Sequence, residues 1–286
     1  MAATPHGGAS SGRRKLVLLL VELLMIGVLI AELFPVFWVI SNSLKTSADI
    51  FHWPPTVLPH PITLENYRYV VRGLGIGAFL RNSVAVATVS TLICCLAGAP
   101  GAYAIARFRT GGRGLSLWIL MQLMIPSVAL IVPLFVLFSR SHLLDTWIGL
   151  AIGHVSFNLP LAVWLMMGFF AELPAELEDA GRVDGCTRFQ AFRLISLPLV
   201  LSGLTATAIF IAIQSWNEFL FAVVLTSSAR AQTLPVLIAT LIHPVTDILY
   251  GPMCAAAVIA LVPVFIFAFA VQKYLIRGLT AGALKA

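Results

Sequence analysis

The sequence predicts an all-α integral membrane protein of six transmembrane helices, and three observations carry that expectation. Of 286 residues, 59% are apolar and only 10% are charged, against roughly 25% charged in an ordinary soluble domain. The mean hydropathy of +0.97 excludes a disordered chain, which needs few apolar side chains and much charge. Apolar windows of about twenty residues, enough to cross a hydrocarbon core of about 30 Å, occur at about six places, near 16–40, 79–105, 115–138, 147–170, 197–225 and 253–274.

The third observation is where the charges sit. The chain carries 18 Lys and Arg against 12 Asp and Glu, a formal charge of +6. With the N-terminus in the cytoplasm, twelve basic residues fall inside, in the groups Arg13/Arg14/Lys15, Arg107/Arg109/Arg113, Arg182/Arg188/Arg193 and Lys273/Arg277/Lys285. Lys45, Arg68, Arg72, Arg81, Arg140 and Arg230 fall outside. That asymmetry predicts a multi-pass protein of the cytoplasmic membrane with both termini in the cytoplasm, because Lys and Arg near span ends resist translocation. No run of five or more like charges occurs, so nucleic acid is excluded as a partner.

Residues 1–14, with Gly7, Gly8, Ser10, Ser11 and Gly12, predict a flexible cytoplasmic tail, and 15–286 a single transmembrane domain. The first span is too long for a secretory signal and reads as a retained anchor. In the outer segment 41–78, Leu64, Tyr67 and Val71 at helical spacing predict a short amphipathic helix on the surface. Pro35, Pro100, Pro126, Pro133, Pro160 and Pro263 predict kinks, either shaping a bundle or lining a moving pathway. The four cysteines, Cys94, Cys95, Cys186 and Cys254, have no pairing or metal spacing and read as small hydrophobes. The histidines His6, His52, His60, His142, His154 and His243 likewise show no ligand spacing.

The polar connection over 172–198, between the fourth and fifth spans, is the most informative stretch. Pro174 suits a first helical position, and Glu176, Glu178 and Asp179 sit in the early turns, where the helix dipole favours acids. Gly185 can end that helix in a left-handed conformation. Thr187 and Gln190 then form a capping box that opens a second helix. In the first helix Leu173, Leu177, Ala180 and Asp184 share a mostly apolar stripe, while Glu178 can pair with Arg182 at i+4. A helix of about ten residues is marginal alone in water, so either its own bundle or a cytoplasmic partner must pack on it.

This stretch resembles the EAA loop of permease subunits of ATP-binding-cassette importers: Glu-Ala-Ala, three residues, Gly, nine residues, Ile-x-Leu-Pro. Here Asp179-Ala180-Gly181 stands for Glu-Ala-Ala, followed at the same spacing by Gly185, Ile195, Leu197 and Pro198. Asp179 is one methylene shorter than the usual Glu, and Gly181 replaces Ala within a helix at a cost of about 1 kcal/mol. Further pieces resemble the sugar-importer branch, the maltose-permease-G-like subunits: Ser43-Leu44-Lys45, Thr63 to Tyr67, Phe79 to Ser83, Ala102 to Arg107, Trp216-Asn217-Glu218-Phe219, Gln272-Lys273-Tyr274 and Gly278 to Lys285. They run from the first span to the C-terminal end.

The resemblance implies a cytoplasmic coupling helix between the fourth and fifth spans. It implies as partners a sister permease, two ATPase subunits and an external solute-binding protein. Coupling to the ATPase would fall to Glu178, Asp179, Ala180, Gly181, Asp184, Gly185, Ile195, Leu197 and Pro198. The chain shows no G-x-x-x-x-G-K-[ST] phosphate loop, so it is expected to hold no cofactor of its own and to be no enzyme, with ATP and Mg bound by the partner ATPase. Polar side chains in lipid are functional suspects, which makes Asn82, Asn158, Gln214, Trp216, Asn217 and Glu218 candidates for the lining of a sugar path.

An ion-coupled secondary transporter, with Glu22, Glu32 and Glu218 as coupling sites, is the alternative, but it has no use for the EAA spacing. An intramembrane hydrolase would need a Ser/His or His/Glu constellation in the spans, and no such motif is legible.

Overall fold

The computed structural model describes the backbone of residues 8–242 and 249–283 and the side chains of 15–242 and 249–269. The side chains of the expected tail 1–14, His243 and the ending 272–285, with Lys273, Arg277 and Lys285, lie outside the described residues. Among the described residues the chain is helical, without a strand.

In order the helices are α1 (Gly8–Ser43), α2 (Ser47–Ile50) and α3 (Glu65–Arg68), the last continued by a π turn (Tyr69–Gly73). Then come α4 (Ile76–Phe108), α5 (Gly112–Leu123), α6 (Ser127–Arg140) and α7 (Trp147–Ala171). The polar connection holds α8 (Glu176–Val183), α9 (Arg188–Ala191), a second π turn (Phe192–Ser196) and α10 (Leu197–Leu199). The chain ends in α11 (Leu201–Asn217), α12 (Leu220–Leu225), α13 (Leu234–Thr240) and α14 (Tyr250–Ala283).

Four helices, α1, α4, α7 and α14, are long and apolar enough to cross a membrane, and up to six spans result if each of two bent pairs counts as one. The expected third and fifth spans are thus each a broken pair of helices. α5 and α6 meet at 93°. The cause is Pro126, which stands at the start of α6 with extended ψ of 132° and keeps its predecessor out of helix. The arm 188–199 meets α11 at 76°. Pro198 has no N–H to give the carbonyl of Leu194, and the ladder widens into the π turn just before it. α11 then stops at Asn217, because Glu218 is extended (φ −70°, ψ 125°). Asn217 Nδ2 turns back to the Ile213 carbonyl at 2.9 Å, meeting one of the carbonyls of the last turn.

α4 and α7 form the central pair. They approach so closely that a methyl group on Gly98 would stand 2.9 Å from Ala162 Cβ, a small-residue contact typical of helices that associate in lipid by van der Waals packing. At one end of the pair Tyr103, Met166, Phe170, Phe192 and Val200 form a core. At the other, Val86, Phe138, Leu150, Phe221 and Leu225 form a second. α1 packs on α14, and none of its central window is buried.

The 41–78 segment folds back on the end of α1. Asn66 donates to the carbonyls of Ser43 (3.0 Å) and Lys45 (2.8 Å), and Tyr67 OH meets Ser43 Oγ at 2.8 Å. Lys45 is buried and donates to Asn42 Oδ1 at 3.0 Å and the Thr56 carbonyl at 2.5 Å. Of the stripe expected on the surface, Leu64 and Val71 are 56% and 53% exposed, while Asn66 and Val70 face inward. The carboxamide decides the face, because the end of α1 offers carbonyls that need a donor.

Candidate functional site

The 172–198 connection builds its site from local rules. α8 begins at Glu176, two residues after Pro174, with three acids in its first turn. Gly185 has φ +92°, and Cys186 N–H returns to the Gly181 carbonyl at 2.9 Å, the closure of a helix whose end needs a left-handed residue. The Thr187–Gln190 capping box is present in both directions.

Tertiary contacts then orient α8 against the sequence expectation. Glu178 does not pair with Arg182. Its carboxylate accepts from Tyr103 OH (2.8 Å), Arg107 Nε (2.8 Å) and Ser196 Oγ (2.7 Å), while Arg107 also donates to the Leu173 carbonyl at 2.8 Å. Tyr103 and Arg107 lie one helical turn apart on α4 and so share a face. Gly181 is buried too, and a methyl group there would strike Ile195 Cδ1, which ties the residue standing for the second Ala of EAA to the later Ile-x-Leu-Pro. The inward face therefore carries an acid and a glycine. Of the expected stripe Leu173, ahead of the helix, packs against the core, while Leu177 is 44% exposed, and Val183 beside it is 87% exposed. Asp179, Ala180, Asp184 and Gly185 are exposed beside them, Leu197 is half-buried and Pro198 exposed.

The six polar candidates of the spans do not converge on one place. Asn158 and Gln214 line a cleft of about 370 Å³ with Gln122, Ser127, Ser156, Phe157 and Phe210, at the elbow between α5 and α6. Asn158 is 1% exposed, and neither atom of its carboxamide has a partner among the described residues. Asn82 instead holds the loop after α12, donating to the carbonyls of Ala229 (3.1 Å) and Gln232 (3.0 Å). Trp216 and Asn217 border an apolar groove between α4, α11 and α14.

Glu218 caps α12, accepting from Phe221 N–H (2.8 Å) and Ala222 N–H (3.1 Å). Beside it the structure places His154 between Ser215 and Glu218, a His/Ser/Glu grouping that the sequence does not show. His154 comes from α7, while Ser215 and Glu218 stand three residues apart at the end of α11, so no local spacing joins the histidine to them. Glu22 and Glu32 lie exposed on α1. Among the described residues no group of three His, Cys, Asp or Glu could hold a metal ion.

At the α12 end of the bundle Asp145 clamps two loops, accepting from the N–H of Ser227 and Ser228 at 2.9 Å each and from Ser228 Oγ at 2.5 Å. Burial pushes its carboxyl up, but the Ser228 hydroxyl, the two N–H groups and nearby Arg230 outweigh this and hold it below the usual value of 3.8.

Bundle and loop together define a membrane permease with an outward-turned helix between two of its spans. Residues 90–281 match the family described as binding-protein-dependent transport system inner membrane component, and the chain belongs to that family. It is 36% identical to the trehalose transport system permease protein SugB of Mycobacterium tuberculosis, over 88% of this chain and 92% of that one. It is equally 36% identical to the trehalose/maltose transport system permease protein MalG of Thermococcus litoralis, over 92% and 96%, and 38% identical to a probable ABC transporter permease, y4oR, of Sinorhizobium fredii, over 88% and 90%. The fold matches a chain in the crystal structure of a bacterial ABC transporter involved in the import of the acidic polysaccharide alginate, with TM-score 0.76 and 23% identity over 95% of this chain and 99% of that one.

Proposed function

We propose that this chain is the permease subunit of an ATP-driven, binding-protein-dependent importer of a sugar, working in the cytoplasmic membrane with both termini inside. One observation carries the reading: α8 buries its acid and its glycine and turns its apolar side chains outward. A helix of eight residues is held rigidly by Glu178, so Leu177, Ala180 and Val183 are free to pack on a partner. In this reading that partner is an ATPase subunit, which would bind the ATP and Mg, and membership of a binding-protein-dependent transport family supports it.

In this reading Asp179, Ala180, Asp184 and Gly185 present the docking surface, while Glu178 and Gly181 fasten it to the bundle. Ile195, Leu197 and Pro198 set how its motion enters α11. Two ATPases, a sister permease and an external binding protein complete the assembly, and the chain itself holds no nucleotide. The cleft at Gln122, Asn158 and Gln214 offers the unpartnered carboxamide of Asn158, beside two more, to a hydroxyl-rich solute and forms part of the path.

Purification of the tagged chain from its native membrane, with mass spectrometry of what accompanies it, tests the reading. A sister permease and an ATPase should accompany the normal chain, and Gly185→Val should lose the ATPase and keep the sister. A chain that emerges alone, under conditions that preserve a known importer, would sink the proposal.

A further inference from the structure

His154 on α7 has 0% of its surface exposed. Its Nδ1 lies 2.6 Å from Ser215 Oγ on α11. Ser215 Oγ in turn lies 2.9 Å from Ser90 Oγ on α4, and Ser90 reaches the Ala87 carbonyl at 3.2 Å. On the far side of the ring, Nε2 stands 3.3 Å from Glu218 Oε2, at the point where α11 gives way to α12. One imidazole thus meets α4, α7 and α11 and the carboxylate that caps α12.

If Ser90 donates to Ala87, the hydrogen between the two hydroxyls is Ser215's and Nδ1–H donates to Ser215; if Ser90 donates to Ser215, Ser215 donates to Nδ1 and the ring hydrogen is on Nε2. Among the described residues Nε2 has no aligned hydrogen-bond partner, Glu218 Oε2 standing at ion-pair distance off its line. Around the ring stand Phe157, and Phe221 and Leu225 of α12, which pack so near Gly153 that a methyl group there would meet them at 3.2 and 3.3 Å.

The geometry points to His154 as a positioning residue of the transport cycle: it holds Ser215 with one nitrogen and Glu218 with the other, so that α12 travels with the α4–α7–α11 bundle as one body when α8 is displaced. The backbone cannot do this alone, since the helical ladder is interrupted at Glu218. The inference rests on the ATP-driven reading above.

The test uses the assembled complex in lipid nanodiscs, with its native cysteines replaced and spin labels on Phe210 of α11 and Val224 of α12, which are 50% and 38% exposed. The probe is MgATP with vanadate. With His154 present, the label distance stays narrow and unchanged between the nucleotide-free and trapped states. In His154→Leu, which fills space without a donor, it broadens and shifts on trapping. His154→Gln, whose N–H can still reach Glu218, restores the narrow distribution. Should His154→Leu not assemble, Ser215→Ala cuts the other tie and is expected to broaden the distance in the same way.

A distance that shifts on trapping with His154 present overturns the proposal. So does an unchanged distance in His154→Leu, or in Ser215→Ala where that variant decides. Equal broadening in His154→Gln reduces His154 to packing and overturns it as well. If the complex traps no nucleotide at all, the ATP-driven reading fails and takes this one with it, whereas trapping without an effect of the variants fails the hinge alone.

Discussion

Two acids anchor the two ends of the same bundle, and they are built differently. Glu178, at the α8 end, accepts from a guanidinium, a phenol and a serine at 2.7–2.8 Å. Glu218, toward the α12 end, accepts two backbone N–H groups, and its contact with His154 is longer and off line. His154 and Phe170 on α7 are sixteen residues apart in sequence, about 24 Å along a helix. A saturated network with a charged partner has one favourable geometry, which suits a rivet. A carboxylate on the first turn of a short helix, tied to the bundle by one longer imidazole contact, has less free energy to lose. The α8 end is therefore the stronger joint and the α12 end the weaker one, held to the bundle through His154.

The largest effect should come from breaking the rivet. Glu178→Ala leaves the Arg107 guanidinium, only 13% exposed, without its carboxylate, and a loss of about 3–5 kcal/mol is expected, as for other buried pairs with one partner removed. Thermal unfolding in detergent measures it. Joint replacement of Glu178 and Arg107 by Leu and Met should recover a good part of the loss while leaving α8 poorly oriented for its ATPase. If the single variant melts like the normal chain, the α8 end is not the stronger joint.

At the weaker end Glu218→Ala removes only the cap of α12 and the contact with His154, and a cost of about 1–2 kcal/mol is expected. The same melting experiment, read beside Glu178→Ala, compares the two ends directly. An Ala variant at 218 that costs more than the one at 178 would reverse the comparison.

Gly185→Val sharpens the account of α8. A side chain there meets nothing within 4 Å, but φ is +92°, so the penalty is backbone strain of about 1–2 kcal/mol, and Gly185→Asn should cost less. Stability should change little more than that while co-purification of the ATPase is lost; loss of the whole chain from the membrane would show that the glycine serves folding instead.

The smallest effect is the Asp145 clamp. Its carboxyl titrates below its ordinary value of 3.8, so the stabilisation is complete above that value and disappears as pH falls through the lowered one. Asp145→Asn should therefore melt earlier than the normal chain at pH 7, by about 1 kcal/mol, and no earlier in strong acid. A difference that persists at low pH would contradict the charge-based account.

Much of α8 was legible beforehand. Gly185 and the Thr187–Gln190 box are local devices and stand where the sequence put them. Its buried face was not. The stripe of Leu177 and Ala180 left open whether the bundle or a partner covers it, because a periodic stripe says only that a helix has two sides, and not which one the bundle takes. In the 41–78 segment a polar residue, Asn66, has the partners inside, and Leu64 and Val71 face outward. Of the pathway candidates, Asn158 and Gln214 share a cleft, while Gln122 and Ser156 escaped notice because nothing in their spacing sets them apart.

The sequence by itself determined a membrane protein, the approximate place of its spans, and the turn and cap that delimit α8. Each follows from composition or from rules acting within about four residues. Only the tertiary structure decided that Glu178 meets Tyr103 and Arg107, 75 and 71 positions away, and that His154 meets Ser215 across 61 positions. It alone also decided that the third and fifth spans break rather than merely bend. The breaks stand at Pro126 and Pro198, which the sequence marks without saying how far the chain turns, while the two long-range contacts share one physical reason. A buried polar group must find a partner, and which partner lies near is settled by how the helices pack, a property no local pattern carries.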